Sequence, residues 1–321
     1  MILPAGSREL IDEFRLYPEY GDLRKVRPTI RAMEIGMWGV EKQEYKWSAA
    51  FWEQCRVTTS CIVARPQDEK GLEPGPNDIV PLMAQALRLV SEHWMSTTKT
   101  TAVDAVHEGA FAFVLYAIRC LAELVGNDRQ RVAGRLLLRT IVECHITLAY
   151  LINKNDPALW TKFRHYGSGQ AKLALLKISE AANPPHSVSE EKLERLANED
   201  MWDEFVDINL GNWAGADLRK MAEESGTKQI YDTHYGWASA HTHGQWSALR
   251  DTSLATCLNP LHRLHRVPAI ALSPLADTVP DAIDVVEAMI TNLLKLFPGP
   301  AISLRSGPLD PPDTEHAKSQ D

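Results

Sequence analysis

Apolar positions recur at helical spacing along most of the chain, and no stretch shows convincing period-two alternation. The strongest runs predict helices over about 79–95, 101–126 and 128–153. Gly126-Asn127-Asp128 reads as a stop followed by a start, with Asp128 as N-cap. Asp156-Pro157 restarts a helix that runs to about Ala182, because proline is tolerated in a first turn. Ser187 and Ser189, followed by Glu190 and Glu191, predict a capped short helix over 187–198. Short helices follow at about 200–206 and 215–225, then the segment Tyr235–His243. A last amphipathic helix, Val279–Phe297, gathers Ile283, Val286, Met289, Ile290, Leu293 and Leu294 on one face. Near the N-terminus, Ser7 caps a helix to about Leu16, and Pro28 opens a long helical segment to about Val63.

The pattern therefore predicts an all-α protein: a helical bundle with additional N-terminal helices and a disordered C-terminal tail. Residues 1–65 form the N-terminal helices packed on the core. Residues 66–78, rich in proline, glycine and charge, form a loop or linker. Residues 79–297 form the main domain, with its core drawn from about 79–180 and 228–297, and 251–277 irregular. From 298 to 321 proline, glycine, serine and charge dominate, and disorder is expected from about 305.

Composition narrows the function classes. A 45% hydrophobic and 24% charged chain fits an ordinary globular core. A net charge of −8 argues against a broad duplex-DNA surface, yet leaves room for a local basic pocket. Five cysteines without a CxxC pair argue against a disulfide framework and a cysteine-rich zinc site, so a reducing cytoplasm is expected. No signal peptide is visible. The longest apolar stretch, Gly109–Ile118, is about half a bilayer span, so no membrane segment is expected.

The candidate chemistry is polar residues in helical register. Tyr235, Ser239 and His243 follow one another at four-residue steps, each turning about 40° on a helix, so they form one stripe. His243 is then a general acid/base oriented by Ser239 or Tyr235, or the stripe is an internal hydrogen-bond network. Arg139 and Glu143, at i and i+4 in an apolar helix, form either a structural ion pair or a paired site facing a pocket. His241, His243, His262 and His265 are an alternative metal set, opposed by the opposite facing of His241 and His243 and by the flanking arginines. Arg263 and Arg266 are a candidate anion site, or part of a solvated loop. No P-loop or Rossmann fingerprint is present, and no cofactor is identifiable.

Arg139-Thr-Ile-Val-Glu143, Leu148-Ala-Tyr-Leu151, Asp156-Pro-Ala-Leu-Trp160 and the Tyr235…Ser239…His243 stripe resemble the bacterial domain-of-unknown-function 5677 family over about residues 100–297. The resemblance implies an all-helical fold with no settled activity. The Tyr-x-x-x-Ser-x-x-x-His helix is also similar to that of helical proteins of the HEPN (higher eukaryote and prokaryote nucleotide-binding) kind, some of which act in RNA cleavage or phage defence. That likeness implies a nucleotide or RNA partner, with His243 as acid/base and Arg139 on phosphate. The Arg-x4–6-His spacing of such nucleases occurs here at Arg139…His145 and Arg88…His93, no more often than composition alone supplies. Against these stand a metal-dependent hydrolase built on the histidines and a non-catalytic interaction protein acting as a homodimer.

Overall fold

The computed structural model describes residues 53–63, 79–126, 132–183, 185–198, 213–259, 261–262, 265–269 and 275–305. The first helices are α1 (Ile79–Thr97), α2 (Ala105–Gly126), α3 (Val132–Lys154) and α4 (Pro157–Ser179). The shorter α5 (Glu190–Ala197) and α6 (Leu218–Glu224) follow. Helix α7 runs on from Lys228–Ile230 through a π-helical turn, Tyr231–Tyr235, into Gly236–Thr242. Then come α8 (Trp246–Ser253), the strands β1 (Leu254–Thr256) and β2 (Arg266–Pro268), and α9 (Val279–Leu296). Residue 53–58 backbone is also helical. The fold is all-α apart from one two-stranded antiparallel ribbon among the described residues.

The expected caps are in place. Asp156 accepts from the Ala158 N–H at the start of α4, with Pro157 in its first turn. Ser189 accepts from Lys192 N–H before α5. Asp128, the helices expected before residue 53, the linker, the helix at about 200–206 and the tail beyond 305 lie outside the described residues.

The chain divides into two compact units. The first holds Gly75–Ser239 and Ala276–Asp321. In it α3 packs on α2, and α9 lies against both. Phe111, Ile118, Leu121, Ile141, Ile146, Leu148, Met289 and Leu293 form its centre, all fully buried. Helix α1 covers α2 on one side, and α4 covers it on another. Gly109 permits that last approach: a Cβ there would stand 2.9 Å from Trp160 Cε3. Helices α2 and α3 are long and apolar enough to cross a bilayer, but half of each apolar window is buried inside the protein, as in core helices.

The second unit holds Met1–Pro74 and Ala240–Leu275. Its described core is the helical turn 53–58, α8 and the β1–β2 ribbon, with Leu254 opposite Pro268, Ala255 opposite Val267 and Thr256 opposite Arg266. The absence of strands expected from the sequence is corrected here. Three-residue strands are too short to display an alternation, and their pairing comes from backbone hydrogen bonds.

Candidate metal centre

The ribbon's end builds the most distinctive polar cluster among the described residues. One step beyond the β1–β2 register, the Cys257 N–H donates to His265 C=O at 2.9 Å, which sets these two residues opposite each other. Between them a tight turn forms: Asn259 Oδ1 accepts from Leu261 N–H and Asn259 C=O from His262 N–H, each at 2.9 Å. The turn folds His262 back over the ribbon. The Leu258 N–H donates to Ile62 C=O at 2.7 Å and draws the 60–63 backbone alongside, bringing Cys61 to the same point.

Four donor atoms converge: Cys61 Sγ, Cys257 Sγ, His262 Nδ1 and His265 Nε2, all within 4.8 Å of one another. His262 Nδ1 lies 3.5 Å from Cys61 Sγ, 3.3 Å from Cys257 Sγ and 3.2 Å from His265 Nε2. Cys61 Sγ is 3.3 Å from His265 Nε2. Tetrahedral zinc, with Zn–S near 2.3 Å and Zn–N near 2.05 Å, requires S···N edges of about 3.5 Å and N···N edges of about 3.3 Å. These four edges fall within about 0.3 Å of those values, and the other two, from Cys257 Sγ to Cys61 Sγ and to His265 Nε2, lie within 4.8 Å.

The surroundings fix the ligand tautomer. His262 Nε2 lies 2.9 Å from Thr59 Oγ1 and 3.3 Å from Cys55 C=O. Thr59 Oγ1 already donates to Cys55 C=O at 2.7 Å and accepts from Asn259 Nδ2 at 3.2 Å. Its remaining capacity is a lone pair, so Nε2 carries the proton and Nδ1 turns a lone pair into the centre. Burial, then His262 and Arg56, lower the pKa of the His265 imidazole, favouring the neutral form that ligates. Burial, then the Cys257 thiol, raise the pKa of the Cys61 thiol, so with no cation present it keeps its proton.

The polar residues expected to form the site separate into two groups. Arg139 Nη2 pairs with Glu143 Oε1 at 2.8 Å and donates to Tyr235 Oη at 3.1 Å, with Cζ 5.1 Å from that ring's centroid. Tyr235 itself stacks on Tyr231 at 4.9 Å. One turn earlier on α3, Arg135 is 2% exposed, donates to Ala276 C=O at 2.7 Å and lies 4.2 Å over the Trp237 ring. Burial lowers its pKa, against the opposing pull of Asp281 and Asp277.

Ser239 and His243 do not join this group. Ser239 makes no side-chain hydrogen bond among the described residues, and His243 is exposed. The helix ends at Thr242. Gly244 has φ 56° and the Gln245 N–H reaches back to Ala240 C=O at 2.9 Å, so His243 is the C-cap and the four-residue stripe stops before it.

Of the four histidines considered for metal, His262 and His265 converge; His241 and His243 are not among the donors. The cysteines that complete the set, Cys61 and Cys257, stand 196 positions apart and outside any CxxC pair, so no local spacing marks them. Arg266 donates to Thr256 Oγ1 within the ribbon, and Arg263 lies outside the described residues. His145 and His93, of the Arg…His spacings, are buried core residues. His93 Nε2 lies 2.9 Å from Phe297 C=O, and burial holds His145 down at about 4.

No curated protein and no solved structure matches this chain. Residues 113–256 match the model of DUF5677, a family of unknown function; that stretch holds α3, the Arg139–Glu143–Tyr235 group and β1, and it ends one residue before Cys257.

Proposed function

We propose that this is a zinc-binding protein whose ion is structural and whose role is non-catalytic. The observation that carries the reading is the convergence of two sulfurs and two imidazole nitrogens within 4.8 Å, four of their six separations close to tetrahedral zinc edges, with one imidazole held in its ligating tautomer by Thr59. Four protein donors fill a tetrahedron and leave no position for a water, which is the mark of a structural rather than a hydrolytic zinc. The ion would join Cys61 to His265, 204 positions away in sequence, and so close a very long loop.

The same geometry favours this over RNA cleavage of the HEPN kind. A phosphate-binding arginine needs net charge to offer, and the Arg139 guanidinium is paired with Glu143 and spends its Nη2 on Glu143 and Tyr235. Lys228, which lies over Tyr231, pairs likewise with Asp232. Each cation on this face has a carboxylate within reach, so the face offers a nucleotide little net positive charge.

Elemental analysis of the purified full chain tests the proposal. About one zinc per chain is expected, with cobalt substitution giving a thiolate-to-cobalt charge-transfer band and tetrahedral visible bands. Less than about 0.1 ion per chain, both as isolated and after reconstitution, overturns it.

A further inference from the structure

We propose that Cys61 and Cys257 form a redox pair, in which a peroxide-class oxidant converts two zinc-bound thiolates into a disulfide and releases the ion. The inference rests on the metal reading and adds its regulation.

Proximity comes first. The two sulfurs lie within 4.8 Å of each other. The residues that follow them are joined by the backbone hydrogen bond from Leu258 to Ile62, so the two main chains run side by side where a bridge would form. A disulfide asks for Cα atoms about 4.4–6.8 Å apart, the range that neighbouring hydrogen-bonded backbones occupy. Closing the bridge needs side-chain rotation and a few ångströms of sulfur travel, with no refolding of the ribbon.

Access orders the steps. Cys61 is half-buried and sits among exposed neighbours, Ser60, Ile62 and Val63, whereas Cys257 is fully buried. The oxidant therefore meets Cys61 first. Its thiolate sulfur attacks one peroxide oxygen; the S–O bond forms, the O–O bond breaks, and the departing hydroxide takes a proton to become water. Cys61 is then a sulfenic acid. The Cys257 thiolate attacks that sulfur; the S–S bond forms, the S–O bond breaks, and the second hydroxide leaves as water after protonation. The balance is two thiolates, one hydrogen peroxide and two protons giving one disulfide and two waters. Sulfur loses two electrons and the peroxide gains them. The ion is left with two imidazoles and no anionic donor, which is too weak a set to retain it.

The remaining thiols favour this pairing. Cys55 and Cys120 are not among the four converging donors, and burial raises the pKa of the Cys144 thiol to about 12, which keeps it a poor nucleophile. Coordination is what makes Cys61 a thiolate, since a metal-bound thiol is deprotonated.

The zinc-loaded full chain is titrated with hydrogen peroxide beside a chromogenic zinc chelator, and the peptides are then mapped by mass spectrometry. One ion released per peroxide consumed, a Cys61–Cys257 cross-link lighter by two hydrogens, and recovery of zinc binding on adding a dithiol with zinc are expected. Release without that cross-link, or a cross-link through Cys55, overturns the proposal. Zinc that stays bound under excess peroxide overturns this inference alone, whereas a chain that never takes up zinc or cobalt overturns the metal reading beneath it.

Discussion

Zinc affinity should rise steeply with pH, and the slope counts the thiols in the site. Binding requires both cysteine ligands as thiolates, and free thiols are protonated below about pH 7.5. Cys61 keeps its proton more firmly than usual, because burial and Cys257 raise its pKa. His265 brings no proton of its own near neutrality, because burial, His262 and Arg56 lower its pKa. Two protons therefore leave per ion bound. Each contributes about 1.36 kcal/mol per pH unit, so the apparent binding energy grows by about 2.7 kcal/mol, or about 100-fold, per unit between about pH 6.5 and 7.5. Competition against a chelator whose own pH dependence is known measures this slope directly. Cys257→Ser should bring it down to about tenfold per unit as well as weakening binding. Thr59→Val should keep the two-proton slope while weakening binding about 10–100-fold, because it removes the hydroxyl that orients His262 and leaves both thiols in place. An affinity independent of pH, or a one-proton slope in the unaltered chain, would refute the two-thiolate site.

Two further outcomes concern the helical unit. His145 is 3% exposed and held at about 4 by burial, so the folded state resists a proton that the unfolded chain takes near 6.5. Stability is intact above about pH 6.5 and falls by about 3 kcal/mol in all as pH drops from 6.5 to 4; urea midpoints for His145→Leu should flatten across that window, and parallel curves for the two proteins would contradict the assignment. Tyr235→Phe removes the hydroxyl that accepts from Arg139 but keeps the ring beneath the guanidinium, so urea denaturation should register a loss of about 0.5–1.5 kcal/mol. An unchanged midpoint would mean that the hydroxyl contributes nothing to the group.

Most helices were legible because their signals are local. The apolar faces of α1, α2, α3 and α9 repeat every three to four residues, and Asp156 and Ser189 announce the starts of α4 and α5. The Arg139–Glu143 couple was readable as an i, i+4 pair. The π-helical turn was not legible, since no residue pattern marks a turn widened by one residue. Nor was the ribbon, which hydrogen bonding defines and side-chain alternation does not.

Helical class, the caps of α4 and α5 and the ion pair on α3 are set locally, because each depends on residues within one or two turns of each other. Tertiary structure alone decided that Cys61 meets Cys257, His262 and His265. Spacing rules read ligands that share one short loop, and here one ligand arrives from about 200 positions away, carried by the backbone bond from Leu258 to Ile62 and by the bonds of Asn259 and His262 to the 55–60 segment. It also decided that Tyr235 keeps company with Arg139 while His243 faces solvent, because the helix that would have aligned them stops one residue short.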